Sequence, residues 1–195
     1  IVKELDPIRR PGAGRPTRPI DFDGEPWCVL GVQIDLDGFK FAAATLGGRE
    51  LWRDSVTANL RRAEPDAGFA ALRAQLRSQL GQLPPDKQLI AVEIGVPGYV
   101  AEDGATVGWA ENPEWRDFPL SAKVITALSE MGIGGAHVGV TNGSQLAALH
   151  AVRVELGLPA DAIAAYFGGL RGISSGLIIG GEIFRGAGGG AGDFG

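Results

Sequence analysis

The stretch WCVLGVQIDLDGFKFAAATLGGRELWRDSVT, residues 27 to 57, decides the fold. It holds three short runs, WCVLGVQI, FKFAAATL and ELWRDSVT, parted by turn chemistry at Asp37-Gly38 and Gly47-Gly48. Three consecutive strands joined in this way predict an antiparallel meander. Downstream the pattern turns to α/β. Pro65-Asp66 offers a helix start, and Phe69, Leu72, Leu76 and Leu80 recur at three- and four-residue spacing until Gly81 and Pro84 stop the run. KQLIAVEIGV reads as a strand buried on both faces. A helix around 119 to 131, a strand at AHVGVT and a helix from Asn142 to about Leu156 repeat the alternation of an α/β layer. Asn142 is a candidate cap for that last helix, with Gln145 reaching back in a capping box. AIAAYFGG and ISSGLIIGG then begin a second sheet.

Upstream, Pro7, Pro11, Pro16, Pro19 and Pro26 with Gly12, Gly14 and Gly24 interrupt both helix and sheet, so residues 6 to 26 read as a connector. From Gly168 to Gly195 the chain is rich in glycine, but Ile173, Leu177, Ile178, Ile179, Ile183 and Phe184 are interleaved. That mixture predicts tight turns and close backbone approach. The chain stops mid-pattern at AGDFG, which predicts that more chain follows. No repeat at solenoid period is present.

Composition sets the class. The 195 residues are 45% apolar and 21% charged, and no apolar run approaches the length of about 20 that crosses a bilayer. No signal peptide is visible in the charged, proline-punctuated first residues, and the single Cys28 excludes a disulfide framework within this stretch, so the expected compartment is the cytoplasm. A net charge of -5 argues against the whole body gripping nucleic acid. Residues 1 to 19 are an exception, with Lys3, Arg9, Arg10, Arg15 and Arg18 against Glu4 and Asp6. On charge alone that leader is a solvated linker.

Three segments, in order, carry a family resemblance. GVPGYVAEDGATVGWAENPEWRDFPL resembles the sugar-side loop and following segment of the ROK family (repressors, open reading frames and sugar kinases). TNGSQLAALHAVRVELG resembles its active-site helix, and GISSGLIIGGEIFRGAGGGAGDFG its second phosphate region. The resemblance covers residues 27 to 195. It implies an α/β, actin-like ATPase (ribonuclease H-like) fold, present as the N-terminal lobe over residues 20 to 156 and the start of the C-terminal lobe over residues 157 to 195. Family regulators join a winged helix to this body through a Gly-Arg-Pro segment, matched here by Gly14-Arg15-Pro16. Residues 1 to 19 would then be the end of the winged helix and its linker, with Ile1 to Leu5 the last strand of the wing and Arg15 a contact to phosphates of operator DNA.

The same resemblance implies that sugar-kinase chemistry is broken. Transfer to a sugar hydroxyl needs a carboxylate to take its proton and groups that hold Mg2+ and the triphosphate. Family kinases place that Asp directly after the Asn that opens the active-site helix, where this chain has Gly143. Where they have an Asp followed by paired glycines, this chain reads Gln33-Ile34-Asp35-Leu36; Gln33 organises Mg2+ poorly, and Asp35 sets negative charge against phosphate. Asp35 or Asp37 as a substitute base stays open. The sugar side is better kept. Asn112 and Asn142 match positions that hydrogen-bond sugar hydroxyls, Asp193 stands where a Glu is usual, and Gly95 and Gly98 would bring the backbone near the ligand. Each Asn also has a structural reading, Asn142 as a cap and Asn112 as a turn before Pro113.

His137 and His150 lack partners at ligand spacing and Cys28 reads as a buried hydrophobe. Trp109 and Trp115 could wall a sugar or pack in the core, and Ser174 and Ser175 read as turn residues. No metal site is expected within the chain, since the family's structural zinc cluster would fall past Gly195. The resulting expectation is a dimeric, sugar-responsive regulator binding a sugar or sugar phosphate between its lobes. Its rivals are a glucokinase-like ROK sugar kinase and a domain whose ligand site has decayed into a dimer interface.

Overall fold

In the computed structural model, which describes residues 2–5, 20–111, 113–159, 163–168 and 174–192, the meander forms as expected. Strands β1 (Val2–Glu4) and β2 (Ile20–Phe22) pair antiparallel as a separate ribbon. β3 (Trp27–Asp35), β4 (Gly38–Thr45) and β5 (Glu50–Thr57) make the antiparallel meander, to which β6 (Gln88–Val96) and β10 (His137–Asn142) add in parallel. The strand order is β10-β6-β3-β4-β5.

Alternation along β3 explains how the sheet is covered. Cys28, Leu30, Val32 and Ile34 are buried and share one face. With Phe39, Phe41, Val92, Ile94, Val138 and Val140 they meet helices α1 (Pro65–Leu80) and α2 (Leu120–Glu130) in one core. α1 contributes Leu72, Leu76 and Leu80, the stripe that sequence periodicity marks, and α2 contributes Leu120, Val124 and Leu128. Each fully buried Leu or Ile is worth about 1.5–3 kcal/mol of transfer free energy, so this face supplies the bulk of the hydrophobic stabilisation. The opposite face, carrying Gly31, Gln33, Glu93 and Gly95, is where α3 (Gly143–His150) approaches, with Leu146 against Gly95.

α3 ends earlier than periodicity suggests. A π-helical turn, Ala151–Glu155, takes over, and Leu156 N–H donates to the Ala151 carbonyl. Arg153 in that turn donates through Nε to the Gly181 carbonyl at 2.9 Å, which fixes the helix end to the second sheet. That sheet is β11 (Ala164–Gly168), β12 (Ser174–Ile179) and β13 (Glu182–Ile183), where two strands were expected. Ala148, Val152 and Ile178 form its small core with α3.

A third sheet was not anticipated. Tyr99–Val100 (β7), Val107–Glu111 (β8) and Glu114–Phe118 (β9) form a three-stranded antiparallel unit from the segment read only as a loop. The strands are short, and the β7–β8 pairing slips in register between Tyr99 and Val100, so the alternation breaks. No described helix is long and apolar enough to cross a bilayer.

Candidate functional site

Parallel strands β3, β6 and β10 all finish at the N-terminus of α3, so Gln33, Gly95 and Gly143 converge there. The carboxamide of Gln33 fills the space between the two glycines. A Cβ on Gly95 would lie 2.3 Å from Gln33 Oε1, and one on Gly143 would lie 2.8 Å from Nε2. Gln33 Nε2 also donates to the Ile34 carbonyl at 3.0 Å. The gap between the end of β3, β6 and the start of α3 is thus packed by one neutral amide. Asp35 pairs with Lys40 at 3.3 Å and Asp37 with Arg61 at 3.4 Å, both in exposed ion pairs around the β3–β4 turn.

Asn142 uses both ends of its side chain. Oδ1 accepts from the backbone N–H groups of Ser144 at 2.8 Å and Gln145 at 3.3 Å, capping α3. Nδ2 donates to the Gly98 carbonyl at 2.7 Å and so holds the Gly-Val-Pro-Gly turn against the helix. One amide hydrogen remains for a ligand, while both oxygen lone pairs are taken by the cap. The expected capping box does not form, because Gln145 points elsewhere. Its Oε1 accepts from Arg185 at 3.4 Å, its Nε2 donates to the Ala191 carbonyl at 3.5 Å, and the side chain is buried. Arg185 also donates to Thr141 Oγ1 at 3.2 Å, so a second-lobe cation is tied to the end of β10.

These residues border a cleft lined by Gly98, Tyr99, Asn142, Gln145, Ser174, Ser175 and Gly189 to Gly192. Gly98 is held at φ +131°, with its missing Cβ aimed 2.4 Å from the Trp109 carbonyl, so no larger residue fits. Its close approach is to β8. Ser174 and Ser175 open strand β12 rather than serving a turn; Ser175 Oγ donates to the Gly192 carbonyl at 2.9 Å, and Ser144 and Ser174 share a short hydroxyl contact. The space left for water-sized molecules is about 20 Å³, against roughly 300–1,000 Å³ for ordinary ligand pockets. The cleft is closed in this conformation.

Of the predicted ligand residues, Gly98 and Asn142 stand together at the cleft and Gly143 stands behind it. Asn112, Asp193 and Arg15 lie outside the described residues. Trp115 is core, stacked on Phe118 at 4.7 Å, while Trp109 is partly exposed with Arg116 over its ring; neither lines the cleft. Cys28 is fully buried, which raises its thiol pKa through desolvation. His150 sits 3.6 Å from Glu155 on an exposed helix face. Among the described residues no cluster of His, Cys, Asp and Glu could hold a metal ion. Tyr99 and Gln145 were missed as cleft residues. An aromatic directly after Gly-Val-Pro-Gly was the available signal for Tyr99; Gln145 had been assigned to the cap.

A family model for the ROK family matches residues 33–195. The chain is 25% identical over 180 residues to a Caldicellulosiruptor protein named as a candidate xylose repressor, covering 86% of this chain and 40% of that one. It is 28% identical over 186 residues to a transcriptional regulator of Mycobacterium bovis, covering 94% and 40%. Among solved structures, a ROK family transcriptional regulator homologous to the E. coli MLC protein superposes with a TM-score of 0.74 at 18% identity, over 91% of this chain and 43% of that one. A ROK family glucokinase from Streptomyces griseus, solved with glucose and AMPPNP, gives 0.66 at 28% identity over 86% and 49%. The chain therefore spans about two fifths of the length of these curated relatives. Its fold is that of the actin-like ATPase sugar kinases and regulators, and the chain belongs to the ROK family.

Proposed function

We propose that this chain is the sensing body of a sugar-responsive transcriptional regulator that has lost phosphoryl transfer. The observation that carries the reading is the Gln33–Gly143 contact. A proton acceptor is missing at residue 143, and the amide of Gln33 fills the room a carboxylate there would need. Relatives named as regulators support the same assignment.

In this account a sugar or sugar phosphate enters between the lobes and meets Asn142 and the backbone around Gly98, with Asn112 and Asp193 as further expected contacts. Its differential affinity for open and closed lobes drives the change read by a DNA-binding winged helix in a homodimer. The second reading is a sugar kinase, favoured by the 28% identity to the glucose-bound glucokinase. The test is a mobility-shift assay with the full-length protein and its own promoter DNA, titrated with D-xylose, D-glucose, N-acetylglucosamine and their phosphates. One sugar should change the operator affinity by about tenfold, a coupling in the usual allosteric range. Unchanged DNA affinity with every sugar contradicts the proposal.

A further inference from the structure

Tyr99 is the aromatic ring that lines the cleft among the described residues, and it crosses from one lobe to the other. It starts β7 in the first lobe, while its hydroxyl donates to the Gly188 carbonyl in the second. The Cδ1–Cε1 edge of the ring abuts Gly108 of β8, where a Cβ would come 2.4 Å from both atoms. On its far edge are Gly189 and Gly190, whose added Cβ atoms would stand 3.5 Å and 3.8 Å from the ring. The backbone of the glycine turn also rests on β7, since a Cβ at Gly189 would meet the Val100 carbonyl at 2.4 Å. A phenol is thus slotted between three glycines, and the cleft beside it admits little more than water.

We propose that Tyr99 is the gate of the ligand cleft. Its hydroxyl holds the Gly188–Gly190 turn against β7, and a pyranose-sized ligand enters only when that hydrogen bond opens and the turn withdraws. The turn is anchored at its other end by Ser175 and Gln145, which bond the Gly192 and Ala191 carbonyls. Withdrawal therefore moves it as a flap between fixed points. Because Gln145 also accepts from Arg185, opening the flap reaches the clamp that joins β10 to the second lobe. The nature of the ligand rests on the proposed sugar-sensing function; the gate itself does not.

Full-length protein and its Tyr99→Phe variant are compared by amide exchange at Ala191, whose N–H donates to the Arg185 carbonyl at 3.0 Å, and by calorimetry with D-glucose, D-xylose, N-acetylglucosamine and glucose 6-phosphate. Without sugar, exchange in the variant should be about fivefold faster, the factor given by losing one ordinary hydrogen bond, and any sugar that binds the parent should bind the variant more tightly by a similar factor. Gly108→Ala, which pushes the ring out by a different route, should also speed exchange. Unchanged exchange in both variants overturns the gate. Faster exchange with no sugar bound by either protein supports the gate and removes the sugar reading, whereas sugar binding with unchanged exchange does the reverse.

Discussion

Gln33 and Gly143 come from the third strand and the third helix, yet they pack as one unit. Gly143→Ala would place a methyl 2.8 Å from the Gln33 amide nitrogen, so the flexible Gln33 side chain must turn aside, which should cost about 0.5–1.5 kcal/mol in urea or thermal denaturation. In a Gln33→Ala background the same substitution should be nearly neutral, because the obstructing amide is gone. Equal costs in both backgrounds would mean that the two residues do not share the space. At Asn142 the expected loss is larger than for an ordinary cap. Asn142→Ala removes the α3 cap and the tie to Gly98 together, so destabilisation should exceed the roughly 1 kcal/mol typical of capping alone, while Asn142→Asp should keep the cap and lose the tie. Equal stabilities for the two variants would place no weight on the Gly98 bond. At this scale the sequence carried the identities well. That Gly143 lacks a side chain and that Asn142 opens a helix are properties of single positions. That Gln33 fills the resulting gap depends on β3 and α3 meeting, and one-dimensional spacing does not encode it.

The elements best read from sequence were β3, β4 and α1, where buried residues recur at two or at three to four positions, and β6, a nearly continuous apolar run. The β7–β9 sheet escaped because its strands are two and five residues long, too short for periodicity to register. Its β7–β8 turn is built by Asp103, whose carboxylate accepts from the N–H groups of Ala105 and Thr106, each at 2.9 Å, and from Thr106 Oγ1. These bonds, the Ala105 N–H foremost, hold the Asp103 pKa below its ordinary value. A depressed folded pKa means that the turn's contribution is present above the ordinary Asp range of about 4 and lost as pH falls through the lower folded value. An NMR titration should therefore show the Ala105 and Thr106 amides shifting below about pH 4, with Asp103→Asn abolishing the transition. A transition that persists in Asp103→Asn would assign it to another group. The same sheet carries Tyr99, so the part of the fold least legible in sequence also supplies the proposed gate.

At the largest scale, among the described residues, the five-stranded sheet and the sheet of β11 to β13 meet beside α3 at a narrow cleft. Beside the small apolar core of Ala148, Val152 and Ile178, the described residues that meet at the cleft itself are polar or glycine, namely Arg185, Gln145, Tyr99 and the Gly186–Gly192 turn. Polar, replaceable contacts of this kind suit a boundary that opens, since each is worth about 0.5–1.5 kcal/mol and water can substitute for it. The family and the fold were legible from three ordered motifs. The cleft's walls were not, because they are made by segments far apart in sequence whose glycines signal close approach without naming the partner. The central claim, sensing without phosphoryl transfer, is tested most directly by a coupled-enzyme assay for ADP on the full-length protein with Mg2+, ATP and each sugar of the panel. The account predicts no sugar-dependent ADP above the protein-free control, also for sugars that calorimetry shows to bind. Sugar-dependent ADP release at a rate typical of kinases, about 1–100 per second, would contradict it and make the chain part of a working sugar kinase.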